Sequence, residues 1–274
     1  MRRYRPVLFH IFLKMIPSAV TVLTASALFF SVLPHAYAQN MVSHRLVSAP
    51  TAGALSSRSF IIETHLFDGG GVTERFGYGL SDYVSLGVSY SGSNIIGSRR
   101  INWQPHVGAQ IQVRIIEESM NSPAISIGFD SQGSGSYIEG NTLNRFRTKS
   151  KGVYLVMSRN YRLLGDVGLH AGANYSFETD DEDKDPSFWL GLNKSITRRI
   201  ELCCEYDFAT NDNDDDSISS GRGYLNSAVK LNLSGAFTLE FDLQNMLRNE
   251  KIDLTGQSTE RPELSREIRI LYHF

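Results

Sequence analysis

Residues 266–274, REIRILYHF, alternate without a break: Ile268, Ile270, Tyr272 and Phe274 share one face, and Glu267, Arg269, Leu271 and His273 share the other. A period of two belongs to a β-strand, because successive side chains of a pleated chain point to opposite sides. Residues 236–244 repeat the pattern, with Phe237, Leu239, Phe241 and Leu243 opposed to Thr238, Glu240, Asp242 and Gln244. Residues 200–208 and 167–177 do the same, and residues 107–115 carry Gln110, Gln112 and Arg114 on their polar face. Weaker versions span residues 60–66, 72–80, 84–90, 125–129, 153–157, 188–192 and 225–233, so twelve strands are expected in all. Hydrophobic residues at 41% and aromatic residues at 11% leave enough apolar surface for an ordered fold.

Soluble sandwiches alternate too, and the connections separate the two cases. Short links, such as Ser81-Asp82, residues 196–199 and Ser234-Gly235, take turns with long polar ones at residues 91–104, 131–150, 178–187, 210–223 and 248–265. Only residues 68–71 break the rule. A membrane barrel with both termini on one side has such a rhythm, with tight turns at the periplasmic rim and long loops outside, and an even number of strands. The expected fold class is therefore all-β: a single transmembrane, antiparallel, up-and-down β-barrel over residues 58–274.

The amino-terminal stretch reads as an address. Arg2, Arg3, Arg5 and Lys14 precede an apolar run from Met15 to Leu33, and Ala36-Tyr37-Ala38 follows with the small-x-small spacing of a signal-peptide cleavage site. Residues 1–38 are thus expected to be removed after Sec-type export, and residues 39–57, rich in Ser and Ala with Pro50, to form a short periplasmic lead-in. With residues 1–38 set aside, 23 of the 27 basic residues face 29 acidic ones, the wrong sign for a nucleic-acid binder. Cys203 and Cys204 are adjacent and point to opposite faces of one strand, so they form no disulfide framework. The alternating aromatic strand ending on Phe274 suggests an outer-membrane assembly signal formed by Tyr272 and Phe274, read by the barrel assembly machinery of a Gram-negative cell.

In hydrocarbon the apolar face of each strand must point out and the polar face must line the lumen. Strand parity then assigns to the lumen Glu63, His65 and Arg75 near the start of the barrel, and Gln110, Gln112, Arg114 and Asp130 beyond them. His170 and Asn174 follow, then Glu201, Glu205 and Asp207, Lys230, Glu240, Asp242 and Gln244, and finally Glu267 and Arg269. Such a wall is either a charged conduit that selects solutes or a set of groups that satisfy one another across a packed interior. Twelve strands enclose less than the 16 to 18 of open porins and more than the eight that side chains fill.

Two loop segments are densely acidic, Asp180–Asp185 and Asn211–Asp216. Each carries an Asp-x-Asp-x-Asp spacing, Asp181, Asp183 and Asp185 in one and Asp212, Asp214 and Asp216 in the other, which could gather a loop-bound calcium ion. Neither has the Gly and distal Glu of an EF-hand, so a solvated acidic loop beside lipopolysaccharide head groups is the simpler expectation, and no cofactor is expected. For catalysis the best pair is His106 with Ser89 or Ser91 near the outer rim. No Gly-x-Ser-x-Gly elbow accompanies it, so the chain reads as a non-enzyme.

Residues 127–135 (IGFDSQGSG), 149–160 (KSKGVYLVMSRN) and 167–175 (VGLHAGANY) together resemble the YjbH-type outer-membrane proteins associated with exopolysaccharide production. Gly128, Phe129 and Asp130, then Ser158 and Arg159, then Gly168 and Gly172 carry that resemblance, which implies an outer-membrane barrel and assigns no functional residue. The expected functions are a narrow, porin-like channel or an export-associated accessory for a polar solute or polysaccharide, a surface barrel with a plugged lumen acting through its acidic loops, or, least of all, a lipid-modifying enzyme.

Overall fold

The computed structural model describes residues 44–140, 143–163, 165–251 and 264–274. Residues 1–38, expected to be a signal peptide, lie outside the described residues. The strands are β1 (Phe60–Phe67), β2 (Gly71–Ser81), β3 (Val84–Ser93), β4 (Asn102–Trp103), β5 (Gly108–Ile116), β6 (Ala124–Asp130), β7 (Ser134–Glu139), β8 (Asn144–Thr148), β9 (Gly152–Arg162), β10 (Asp166–Tyr175), β11 (Ser187–Ser195), β12 (Ile200–Asp207), β13 (Tyr224–Asn232), β14 (Phe237–Gln244) and β15 (Ser265–His273). Twelve of them form an antiparallel ring in which every barrel strand pairs with the next, and β1 pairs with β15 to close it. β4 only extends the end of β3, while β7 and β8 make a separate hairpin within the long connection between β6 and β9.

Closure removes the free edges that an open sheet of this size would leave. The two faces are inverted relative to a soluble barrel. On β14, Phe241 is 43% exposed while its neighbours Glu240 and Asp242 are 1% and 2% exposed. Leu155, Leu190 and Val88 stand outward in the same way. Ionised groups inside and bare aliphatic groups outside is the low-energy arrangement only where hydrocarbon surrounds the barrel. Phe60 stacks on Phe274 with ring centroids 5.3 Å apart across the β1–β15 seam, and Tyr272 packs on Phe274 at 5.6 Å. Register then sets the inner wall. Lys230 lies opposite Glu201 and Glu240, Glu240 opposite Arg269, and Asp242 opposite Glu267, so charges meet across strands rather than along them.

One rim carries the short turns and the start of β1, and the other carries the long connections, including the β7–β8 hairpin.

Candidate functional site: an occupied lumen and a knitted cap

The described part of the expected lead-in, from His44 on, is not a free segment beyond the barrel. Residues 44–55 fold into the lumen from the turn rim, and Leu46, Val47, Ala49, Thr51 and Ala52 are each at most 1% exposed. The segment turns on itself, Leu46 N donating to Ala49 O (2.9 Å) and Thr51 N to His44 O (3.0 Å). Nothing in its own sequence demands a strand or helix, and its backbone groups are satisfied by the wall instead.

Glu205 on β12 is the principal grip. Its carboxylate accepts the backbone N–H groups of Val47 (3.0 Å), Ser48 (2.9 Å) and Ala49 (2.9 Å), and a further bond from Asn226 Nδ2 (2.9 Å). Successive N–H groups converging on one anion form a nest, and charge-assisted bonds of this type are about twice as strong as neutral ones. Lys230 Nζ donates to Arg45 O (2.8 Å), Arg269 Nη1 donates to Val47 O, and Arg45 Nη2 pairs with Asp130 (3.1 Å). Gln112 Nε2 donates to the carbonyls of Thr51 (3.0 Å) and Gly53 (2.9 Å), and Ser126 Oγ to Ala52 O (3.0 Å). Two small apolar clusters complete the fit. Ala49 and Ala52 pack with Tyr154, Val156 and Trp189, and Val47 packs with Cys203 and Ala228.

Inner-face glycines make the room. A Cβ on Gly191 would lie 2.0 Å from Leu46 Cδ1, and one on Gly172 would lie 2.1 Å from the Trp189 ring. Gly172 on β10 and Gly128 on β6 are therefore recesses for Trp189 and Tyr154, which meet edge to face at 6.3 Å. Three cavities beside the segment measure about 30, 40 and 40 Å³, room for waters and not for a sugar.

Glu63, His65, Asp130, His170, Asn174, Glu205, Asp207, Lys230, Glu240, Asp242, Gln244, Glu267 and Arg269 all lie buried on the inner wall. Arg75 reaches Glu63 (3.7 Å) and Asp130 (3.3 Å), Gln110 lines the cavity beside it, and Glu201 accepts from Cys203 Sγ (3.3 Å). Arg114 sits at the turn rim, where its guanidinium donates to Asp82 O (2.6 Å) and covers the Tyr83 ring at 5.6 Å, so it holds the β2–β3 turn. His273 faces inward too, edge to face with His44 at 6.4 Å, because it shares the parity of Arg269 and Leu271.

The structure does not bring His106 and the rim serines together. Ser89 Oγ donates to Gln132 Oε1 (2.8 Å), Ser91 Oγ accepts from Thr73 (3.1 Å), and His106 is exposed. A different trio is aligned: Ser158 Oγ lies 2.7 Å from His170 Nδ1, and His170 Nε2 lies 2.8 Å from Asn193 Oδ1. The Ser158 hydroxyl also accepts the Ala52 N–H at 2.8 Å, so this trio serves as another anchor for the segment.

At the loop rim the acidic runs do not form solvated tails. Arg145 on β8, fully buried, donates Nη1 to Asp181 (2.5 Å) and Asp212 (2.7 Å) and Nη2 to Asp212 (2.9 Å). Burial opposes its charge, but the bonds to Asp212 and the field of Asp181 outweigh that and hold its pKa above the ordinary arginine value. Lys149 Nζ adds bonds to Asp181 (2.7 Å) and to the carbonyls of Asp183 (3.2 Å) and Asn211 (2.6 Å). Asp185, Asp214 and Asp216 point away into solvent, so the alternate carboxylates of each run divide between inside and outside. The Arg145 guanidinium stands between Asp181 and Asp212, the first carboxylate of each alternating set. Among the described residues, the three-ligand group close enough to hold a metal lies elsewhere, at His65, Asp242 and Glu267 in the lumen.

No family model matches the chain, and no curated protein matches it in sequence. Among solved structures it superposes on the KdgM porin with a TM-score of 0.50 at 11% identity, over 79% of this chain and 99% of that one. The KdgM porin in complex with disordered oligogalacturonate gives 0.48 at 9% identity over 79% and 99%, and the NanC porin 0.44 at 9% over 78% and 98%. At such identities what is shared is the fold: this chain is a twelve-stranded antiparallel barrel of the kind found in outer-membrane porins.

Proposed function

We propose that the chain is an outer-membrane channel for a small polar solute, closed at rest by residues 44–55 and opened when that segment leaves the lumen. The supporting observation is the chemistry of the grip. Glu205, Lys230, Arg269 and Gln112 hold the segment through its backbone N–H and C=O groups, the same donors and acceptors that a hydroxyl-rich solute presents. Wall carboxylates Glu63, Asp130, Glu201, Glu205, Asp207, Glu240, Asp242 and Glu267 outnumber wall cations Arg75, Arg114, Lys151, Lys230 and Arg269, which favours neutral or cationic solutes. The resemblance of residues 127–135, 149–160 and 167–175 to YjbH-type proteins adds polysaccharide to the candidate solutes, and an accessory part in its export to the candidate roles.

Conductance of the purified protein in planar bilayers tests this reading. Glu205→Gln keeps an acceptor and loses the charge that gathers three N–H groups. Forfeiting about 1.5–3 kcal/mol of charged hydrogen bonding raises the open population about tenfold or more. Brief openings, absent in the unsubstituted chain, are the expected record. An inserted Glu205→Gln protein as silent as its parent would remove the gating role.

The filled lumen and the Arg145-knitted cap favour a second reading, a permanently plugged surface barrel that acts through its loops. It predicts no conductance for any lumen variant.

A further inference from the structure

Asp242 is anomalous among the lumen carboxylates. It is 2% exposed, and neither of its oxygens accepts a hydrogen bond. Its nearest cation, Arg269, stands off at 3.4 Å from Oδ2, within 3.5 Å of Glu240, and gives its Nη1 hydrogen to the Val47 carbonyl. Arg269 is shared with Glu63 and Glu240 as well, and a buried carboxylate left with a share of one cation costs several kcal/mol unless something further positive joins it. Directly across the β14–β15 pair is Glu267, and on β1 beyond it is His65, with Nε2 2.6 Å from Glu267 Oε2. One donor atom from each of the three lies within 4.8 Å of the other two. Two carboxylates carry the charge that neutralises a dication, and an imidazole supplies the nitrogen that sets borderline transition metals above calcium or magnesium.

We propose that His65, Asp242 and Glu267 form a binding site for one divalent transition-metal ion of the zinc, cobalt or manganese class inside the barrel wall. The ion takes the place of the proton shared between His65 and Glu267. Ligand bonds of about 2.0–2.2 Å set neighbouring ligand atoms of a tetrahedral ion about 3.4 Å apart, so His65 and Glu267, now at 2.6 Å, must part by roughly 0.8 Å and Asp242, within 4.8 Å of both, must close by up to about 1.4 Å through side-chain rotation. Gln244, which donates to Glu267 Oε2 at 2.6 Å, orients that carboxylate from behind. Bound there, the metal ties β1, β14 and β15 together across the seam where the barrel closes. The site is independent of whether the lumen conducts.

Titration of the purified protein with Co2+ alone, followed by visible absorption and calorimetry, decides the matter. Expected are one saturable equivalent, proton release on binding, and displacement by Zn2+. His65→Gln and Asp242→Asn each weaken affinity by at least about tenfold, whereas Asp214→Asn in the outer loop changes nothing. If a lumen variant does not fold, X-ray absorption of the Zn2+-loaded unsubstituted protein serves instead, with a single imidazole among oxygen ligands as the expected first shell. No saturable binding, binding that survives both lumen substitutions, or a shell with sulfur or without imidazole would overturn the assignment.

Discussion

Deleting residues 44–55 is expected to convert a silent barrel into one with stable, cation-selective conductance steps in planar bilayers. The deletion removes the backbone that Glu205, Lys230, Gln112 and Arg269 hold, and takes Arg45 away from Asp130. The vacated space joins the small cavities on either side of the segment into one wet path, and twelve strands enclose enough width for it. Selectivity follows from the remaining excess of wall carboxylates over wall cations, and it should weaken as salt rises and screening shortens the field. The strands themselves should survive, because their ladders and lipid-facing side chains do not involve the segment. A folded, inserted deletion variant without conductance would mean that the wall closes on itself.

The second large effect is expected at the opposite rim. Arg145→Ala leaves Asp181 and Asp212 facing one another in a buried site, with Lys149 still bonded to Asp181 but nothing replacing the guanidinium at Asp212 among the described residues. Removing one partner of a buried ion pair costs about 3–5 kcal/mol, here charged to the cap and not to the barrel. Limited proteolysis should then cut the connections at residues 176–186 and 208–223 faster than in the parent, while the barrel keeps its folded migration on unheated gels. Arg145→Lys should recover little, since an ammonium cannot make both bonds to Asp212 in the plane of a guanidinium. Combining Arg145→Ala with Asp181→Asn and Asp212→Asn should restore protection by removing the stranded charges. Equal protease sensitivity of parent and Arg145→Ala would show that the loops are not held by this residue.

The barrel was open to sequence reasoning because its rule is local. In β14, FTLEFDLQ, every second residue states which side is wet, and the long and short connections state which rim each end belongs to. The fate of residues 44–55 was not open to it. That segment has no periodicity, and the groups that capture it, such as Glu205 and Ser158, are more than 100 residues away in the chain. The trace it leaves is negative: a glycine at position 191, on the inner row between His170 and Glu205, where Leu46 needs the space. The acidic runs misled for the same reason. Their partner Arg145 sits in a different connection, on the β7–β8 hairpin, so spacing within Asp180–Asp185 said nothing about the guanidinium that holds it to Asp212.

The most direct measurement of an occupied lumen uses a cysteine already in place. Cys203 is buried on the inner face of β12, in contact with Val47. In a Cys204→Ser background, Val47→Cys treated with a mild oxidant in intact membranes should yield a 47–203 disulfide, found as a linked peptide pair by mass spectrometry. Ala228→Cys, directly across the β12–β13 pair from Cys203, serves as the positive control for access of the oxidant. A 47–203 link is the expected result. A 228–203 link without a 47–203 link would place the segment outside the barrel and contradict the gate.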